Sequence, residues 1–302
     1  YCSKNGDLIF SDFQGNVYIL NGKSNLISTI NSTTLNVNSI QQNINFGDSV
    51  VVGDFNGDGR QDLAVSADGY DKTLNGDEGA IFIYLNSFGG LSSTPNVTIQ
   101  GDAQSDEIGW YGIVNLGDIN GDGADDLGFG DDDFISYIFW GKSSFSSIYD
   151  IATESENSAN FTAFDFYNLT DVISLGDING DSYDDLALSG GDGKITILYG
   201  MQNWQTIYQD SNGLNFLEIL VDGIPSVYAL GDIDSDGRGE FGFTALHPGS
   251  TNGINNNLII WNSADNVAAN GFSVSLNQYY FSIDENIAGA VIGKIELEGN
   301  LN

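Results

Sequence analysis

The chain has 302 residues, 42 of them Asp or Glu against 8 Lys or Arg, for a formal net charge of −34. That balance excludes a nucleic-acid binder, which needs a basic stripe to displace counterions from phosphate, and argues against an anionic membrane surface as partner. Hydrophobic residues at 41% and aromatic residues at 12% suffice for a sizeable core, so the acidity belongs to a folded protein. No apolar run approaches the roughly eighteen residues of a membrane-spanning helix. Tyr1 opens the chain without a leader pattern, as in a mature or trimmed product. Cys2 stands alone and can form no internal disulfide. Four glycosylation sequons, at Asn31, Asn96, Asn160 and Asn168, are no more than an Asn-rich chain yields by chance.

In chain order, DLIFSD from Asp7 and NVYILNG from Asn16 read as two short strands. Four copies of one pattern follow: VVVGDFNGDGRQDLAVSAD from Val50, IVNLGDINGDGADDLGFGD from Ile113, VISLGDINGDSYDDLALSG from Val172 and VYALGDIDSDGRGEFGFTA from Val227. Their first Asp residues, Asp54, Asp118, Asp177 and Asp232, lie 64, 59 and 55 residues apart. Each copy is a β-branched run, an acidic Gly-rich turn and a second apolar run. A third run follows each copy, at Gly79, Ile135, Lys194 and Asn257. A fourth run is read at Asn96, Ile148 and Gln205. Four strands in roughly 60 residues is the size of a β-propeller blade, and no helical periodicity competes with it.

The ends fit the same repeat. DLIFSD matches the second strand of a copy, NVYILNG the third, and AVIGKIELEGN from Ala290 the first. Pairing the two ends gives an all-β propeller of five four-stranded blades, closed by strands from both termini, with residues 1–302 as one domain. The alternative is a fragment of a seven-bladed propeller. In that reading 1–271 is propeller, and 272–302 starts a cadherin-like domain, which YFSIDENIAGAVIGKI from Tyr280 resembles.

Each turn has the form D-x-[ND]-x-D-x-x-x-[DE]. The first offers side-chain oxygens from Asp54, Asn56, Asp58 and Asp62, with the Arg60 carbonyl between the last two. The second offers Asp118, Asn120, Asp122, the Ala124 carbonyl and Asp126. The third offers Asp177, Asn179, Asp181, the Tyr183 carbonyl and Asp185. The fourth offers Asp232, Asp234, Asp236, the Arg238 carbonyl and Glu240. Alternating oxygen donors in a tight turn suit calcium, with magnesium second because it demands stricter octahedral geometry. The turns hold no His or Cys, which makes zinc and copper poor fits. An EF-hand needs Glu at position 12, where Val65, Phe129, Leu188 and Phe243 stand instead. Gly59, Gly123 and Gly237 at position 6 supply left-handed backbone. Ser182 breaks that rule, which predicts a strained or weaker third turn.

These turns are similar to those of the FG-GAP repeat, the calcium-binding propeller module of integrin α-chains and many bacterial surface proteins. FGDSVVVGDFNGDGRQDLAVSAD from Phe46 and its three partners carry the match. The resemblance implies about four structural calcium ions and an extracellular or cell-surface location within a larger protein. It departs from the family in losing most "GAP" triplets and at Lys294, Glu296 and Glu298, which replace the ligand pattern, so no fifth ion is expected.

No enzyme is expected. His247 is the only histidine and has no nucleophile pattern near it, and the clustered carboxylates are claimed by the turns. A protein or glycan ligand is expected on the face opposite the metal turns. That face carries the second-to-third-strand loops 67–79, 130–134, 190–193 and 245–257, and the inter-blade stretches 31–45, 101–109 and 154–164. Trp110, Tyr111 and Tyr70 are candidates to stack on such a ligand, although for Trp110 packing between blades is the favoured reading. Asp131–Asp133 and Asp77–Glu78 read as solvated acidic loops rather than further cation sites. The two functions in view are a calcium-stabilised adhesion or recognition propeller and a lectin-like propeller or non-catalytic enzyme domain.

Overall fold

The computed structural model describes residues 8–11, 16–20, 32–36, 44–72, 76–101, 107–131, 136–151, 158–164, 171–189, 193–202, 204, 216–221, 224–232, 237–246, 259–261 and 273–276. Among the described residues there is no α-helix, and the strands form five principal sheets with one small hairpin at Asn86–Ser87 and Gly90–Leu91. The chain divides into two compact units, 1–118 with 122–166 and 119–121 with 167–302.

In the first unit, Leu8–Ser11, Asn16–Leu20 and Ser32–Asn36 make an antiparallel sheet. The next sheet runs in chain order through Val50–Gly53, Asp62–Ala67, Ala80–Tyr84 and Val97–Gln100. The third runs through Ile113–Gly117, Asp126–Gly130, Ser136–Phe139 and Phe161–Phe164. The second unit repeats the order with Asp171–Gly176, Asp185–Ser189, Lys194–Leu198 and Phe216–Val221. Ile224–Gly231, Glu240–Leu246 and Ile259–Trp261 follow as a three-stranded sheet. Four antiparallel strands in sequence order are the blade of a β-propeller, the fold class expected.

The apolar runs are continuous because the central strands are covered on both faces. Every residue of Asp62–Ala67 and Ala80–Tyr84 is buried. Side chains alternate across the sheet. Leu63, Val65, Phe82 and Tyr84 therefore pack with Ile9 and Val17 on one side. Ala64, Ile81 and Ile83 pack with Leu127, Phe129 and Phe139 on the other. In the second unit Ala187, Ile195, Ile197 and Ile219 meet Phe241 and Phe243. Each such large side chain contributes about 1.5–3 kcal/mol on burial.

One strand is not where the sequence places it. Ile148–Asp150 is not the fourth strand of its own blade but pairs in parallel with Val97–Gln100 of the preceding one. Its anchor is Tyr149, 5% exposed, whose ring lies 5.0 Å from Phe139 and 6.1 Å from Phe161. The fourth strand is instead Phe161–Phe164, inside a stretch expected to be a loop. Ser32–Asn36 is likewise a strand within the 31–45 stretch. In the second unit Ser273–Leu276 adds in parallel to Phe216–Val221 in the same way. The run from Gln205 and the strand expected at Ala290 lie outside the described residues.

Candidate metal-binding turns

Each acidic turn leaves its first strand through Gly. In three of the four, the register shifts just before the turn, between Asn115 and Gly117, Ser174 and Gly176, and Ala229 and Gly231. This bulge bends the strand end and re-aims the following Asp. The first turn does without it, Gly53 pairing in register with Asp62.

The first-position Asp then organises the turn. Asp54 Oδ1 accepts the Asp58 amide at 2.9 Å and its Oδ2 the Gly59 amide at 2.6 Å. Asp118 receives Asp122 and Gly123 at 2.9 Å each. Asp177 receives Asp181 at 3.1 Å and Ser182 at 2.8 Å. Asp232 receives Gly237 at 3.0 Å. The third and fifth positions add Asx turns: Asn56 takes the Asp58 amide, and Asp58 takes that of Arg60. Asn179, Asp181 and Tyr183 repeat this, and so do Asp122 and Ala124. Asn120 is placed within the second turn, while Asp234 and Asp236 lie outside the described residues.

The ninth-position carboxylates differ in kind because they are buried. Asp62 is 1% exposed, and Asp126, Asp185 and Glu240 are fully buried. Each described Asp of this set accepts an amide from just past the third strand: Asn86 to Asp62 at 2.7 Å, Gly141 to Asp126 at 2.8 Å, Gly200 to Asp185 at 2.7 Å. Asp185 also takes the Ile178 amide at 3.0 Å. Glycine serves at 141 and 200 because a Cβ would stand 2.3 Å from the Asp125 carbonyl and 2.4 Å from that of Asp184. The Asp62 carboxyl is pushed up from 3.8 to about 7, chiefly by burial and in part by the Asp54 and Asp58 charges. Asp185 is pushed up to about 8, chiefly by burial and in part by the Asp181 and Asp177 charges.

Three carboxylates thus act on one another within each of these turns. Among the described residues no three acidic, His or Cys side chains are gathered tightly enough to form a closed metal cage. The turn's own amides hold the first- and fifth-position oxygens. The donor set nonetheless fits a hard cation. All donors are oxygens, and the buried Asp62 Oδ2 has no hydrogen-bond partner, a costly state for a carboxylate that a cation would relieve.

Asp125, which sequence reasoning missed, ties two turns of the first unit together. Its Oδ2 accepts the Asp54 amide at 2.8 Å and the Asn115 side-chain amide at 3.0 Å, and its own amide donates to the Asp54 carbonyl at 2.9 Å. In the second unit the Gly239 amide makes the matching bond to the Asp177 carbonyl. The doublets Asp125–Asp126 and Asp184–Asp185 were the available signal.

Of the candidate ligand-stacking residues, Trp110 is 51% exposed, which overturns its expected packing between blades. It rides on a turn closed by Trp110 to Glu107 and Gly112 to Gly109 backbone bonds, which lifts the indole off the core. Tyr111 is also exposed, whereas Tyr70 packs edge-on against Phe82 at 5.7 Å. Glu78 is buried, so the Asp77–Glu78 loop is not simply solvated. Asp131 is buried as well and accepts the Tyr137 hydroxyl at 3.0 Å.

An all-β chain of blades whose first two strands are joined by an oxygen-rich turn defines a class, and comparison with known sequences agrees with it. Residues 46–84 match the FG-GAP repeat family. Phosphatidylinositol-glycan-specific phospholipase D of Bos taurus is 37% identical over 121 residues, covering 37% of this chain and 14% of that protein. Integrin alpha-6 of Gallus gallus is 36% identical over 85 residues, 28% of this chain and 8% of the integrin. Integrin alpha-3 of Cricetulus griseus is 34% identical over 86 residues, with the same shares. Together these support an FG-GAP, integrin-like domain. The chain spans 8–14% of the length of these relatives.

Proposed function

We propose that the chain is a calcium-stabilised, non-catalytic adhesion or recognition propeller of an extracellular or cell-surface protein. By repeat arithmetic it has five blades. The supporting observation is the buried Asp62, with its unpartnered Oδ2 and the Asp54 and Asp58 charges acting on it. The first turn would hold calcium through Asp54, Asn56, Asp58, the Arg60 carbonyl and Asp62, and the other turns through their corresponding oxygens. Calcium, when bound, supplies the positive charge that offsets carboxylate repulsion in each turn. The residues themselves set the site: the first Asp fixes the turn's curvature, and the ninth couples it to the end of the third strand. Extracellular calcium then acts as a folding ligand.

EGTA should lower the melting temperature by about 10 °C or more relative to millimolar calcium, and calorimetric titration should count about four ions. An unchanged melt would sink the proposal. The phospholipase D relatives favour a second reading, a non-catalytic domain of a secreted enzyme. Hydrolytic activity of the isolated chain on a glycan or glycolipid would overturn both.

A further inference from the structure

Eight basic residues serve a chain of net charge −34. Among the described residues Arg60 pairs with Asp58 and Lys72 with Asp150. Lys142 forms no ion pair with any described residue. Its ammonium stands over the rings of Tyr149, Phe139 and Phe145, at 4.7, 5.5 and 5.7 Å from their centroids. It donates to the Asn160 side-chain oxygen. Lys142 lines an open groove of about 340 Å³ together with Ser144, Phe145, Ser146, Tyr149 and Asn160, and Ile148 at its edge is 58% exposed. That volume lies at the low end of small-molecule sites, about 300–1,000 Å³.

We propose that this groove binds the carboxylate of an acidic sugar, of the uronic or sialic acid type. The charge of Lys142 would meet the carboxylate, the Phe145 ring and Ile148 the apolar face of the sugar ring, and Ser144, Ser146 and Asn160 its hydroxyls. A single cation in an acidic field selects a ligand with one charge, because a polyacidic peptide would be repelled by the rest of the chain. The aromatic cluster holds the ammonium in place before binding, which reduces the ordering cost. The floor of the groove is joined to the metal turns: the Gly141 amide donates to Asp126, and the Lys142 amide to the Phe55 carbonyl at 3.0 Å. This proposal deepens the recognition reading above and rests on it.

The test is calorimetric or saturation-transfer titration of the full chain, in calcium, with methyl glucuronide, N-acetylneuraminic acid and the uncharged methyl glucoside. An acid should bind at least tenfold more tightly than the glucoside. Lys142→Met, which keeps the aliphatic stem, should weaken that binding by about tenfold or more, and Lys142→Arg should retain it. Should Lys142→Met lower the melting temperature, Asn160→Asp answers the same question, since a carboxylate beside Lys142 should displace the ligand's. Equal binding of glucuronide and glucoside, indifference to both variants, or binding of a Glu-rich peptide in place of the sugar acids would overturn the proposal. The calcium reading is judged separately by the melt in EGTA, so failure of one is not mistaken for failure of the other.

Discussion

The first and third acidic turns share the bonds by which the first, third and fifth side chains accept the fifth, sixth and seventh amides, but they have a different residue at the sixth position. Gly59 sits at φ 84° and Ser182 at φ 74°, each donating its amide to the Oδ2 of the first Asp. Left-handed backbone suits glycine and strains a residue with a Cβ. That Ser182 adopts it shows the carboxylate, not the sixth residue, dictating the turn. The turns also differ at the ninth position, where Asp62 takes one close amide, from Asn86, with a weaker contribution from that of Asn56, and Asp185 takes two close ones, from Gly200 and Ile178. The third turn is therefore strained at its tip and better tied at its base.

Several substitutions and conditions would break or sharpen that contrast. The largest expected effect is on pH in calcium-free buffer. A carboxyl raised on folding binds protons that the unfolded chain has already lost, so its contribution falls as pH rises between the two values. For Asp62 that window is 3.8 to about 7, and for Asp185 it reaches about 8. Melting temperatures in EGTA should drop across it, and calcium should remove or reverse the slope. Next, Asp185→Ala should cost more than Asp62→Ala in EGTA, by about 1–3 kcal/mol, since the close Ile178 amide loses its acceptor and Asp62 has no equally close second amide. Urea melts would show this, and equal costs would contradict it. Ser182→Gly should stabilise by about 1 kcal/mol and Gly59→Ser destabilise by a similar amount. Smallest is Arg60→Ala. Its ion pair with Asp58 and its contact with the exposed Phe88 ring, at 3.8 Å, should contribute at most about 1 kcal/mol, weakening with salt.

How much of this was legible in the sequence depends on range. The turns, their carboxylates and the strain at Ser182 are local, written in spacing and in the absence of a Cβ. The first three strands of each repeat follow from turn position and apolar runs, and they stand where expected. The destination of Ile148–Asp150 was not legible, because a three-residue apolar run does not say which blade it joins. Tyr149, caught among Phe139 and Phe161, decides it. The exposure of Trp110 depends on a turn whose closing bonds no composition reveals. The ligand groove was likewise missed, since Lys142 and Asn160 meet only once the strands pair.

The parallel strand has a consequence for how the protein is made. The outer edge of Val97–Gln100 is covered by a segment synthesised about 50 residues later, and that of Phe216–Val221 by one similarly delayed. At about 5–20 residues per second, each of these two edges stays open for ~2.5–10 s. An open edge invites pairing with another chain. The nascent protein thus passes through two windows of vulnerability, each closed by a strand from further along the chain, so a chain cut short of that strand ends with an edge awaiting a partner that never arrives.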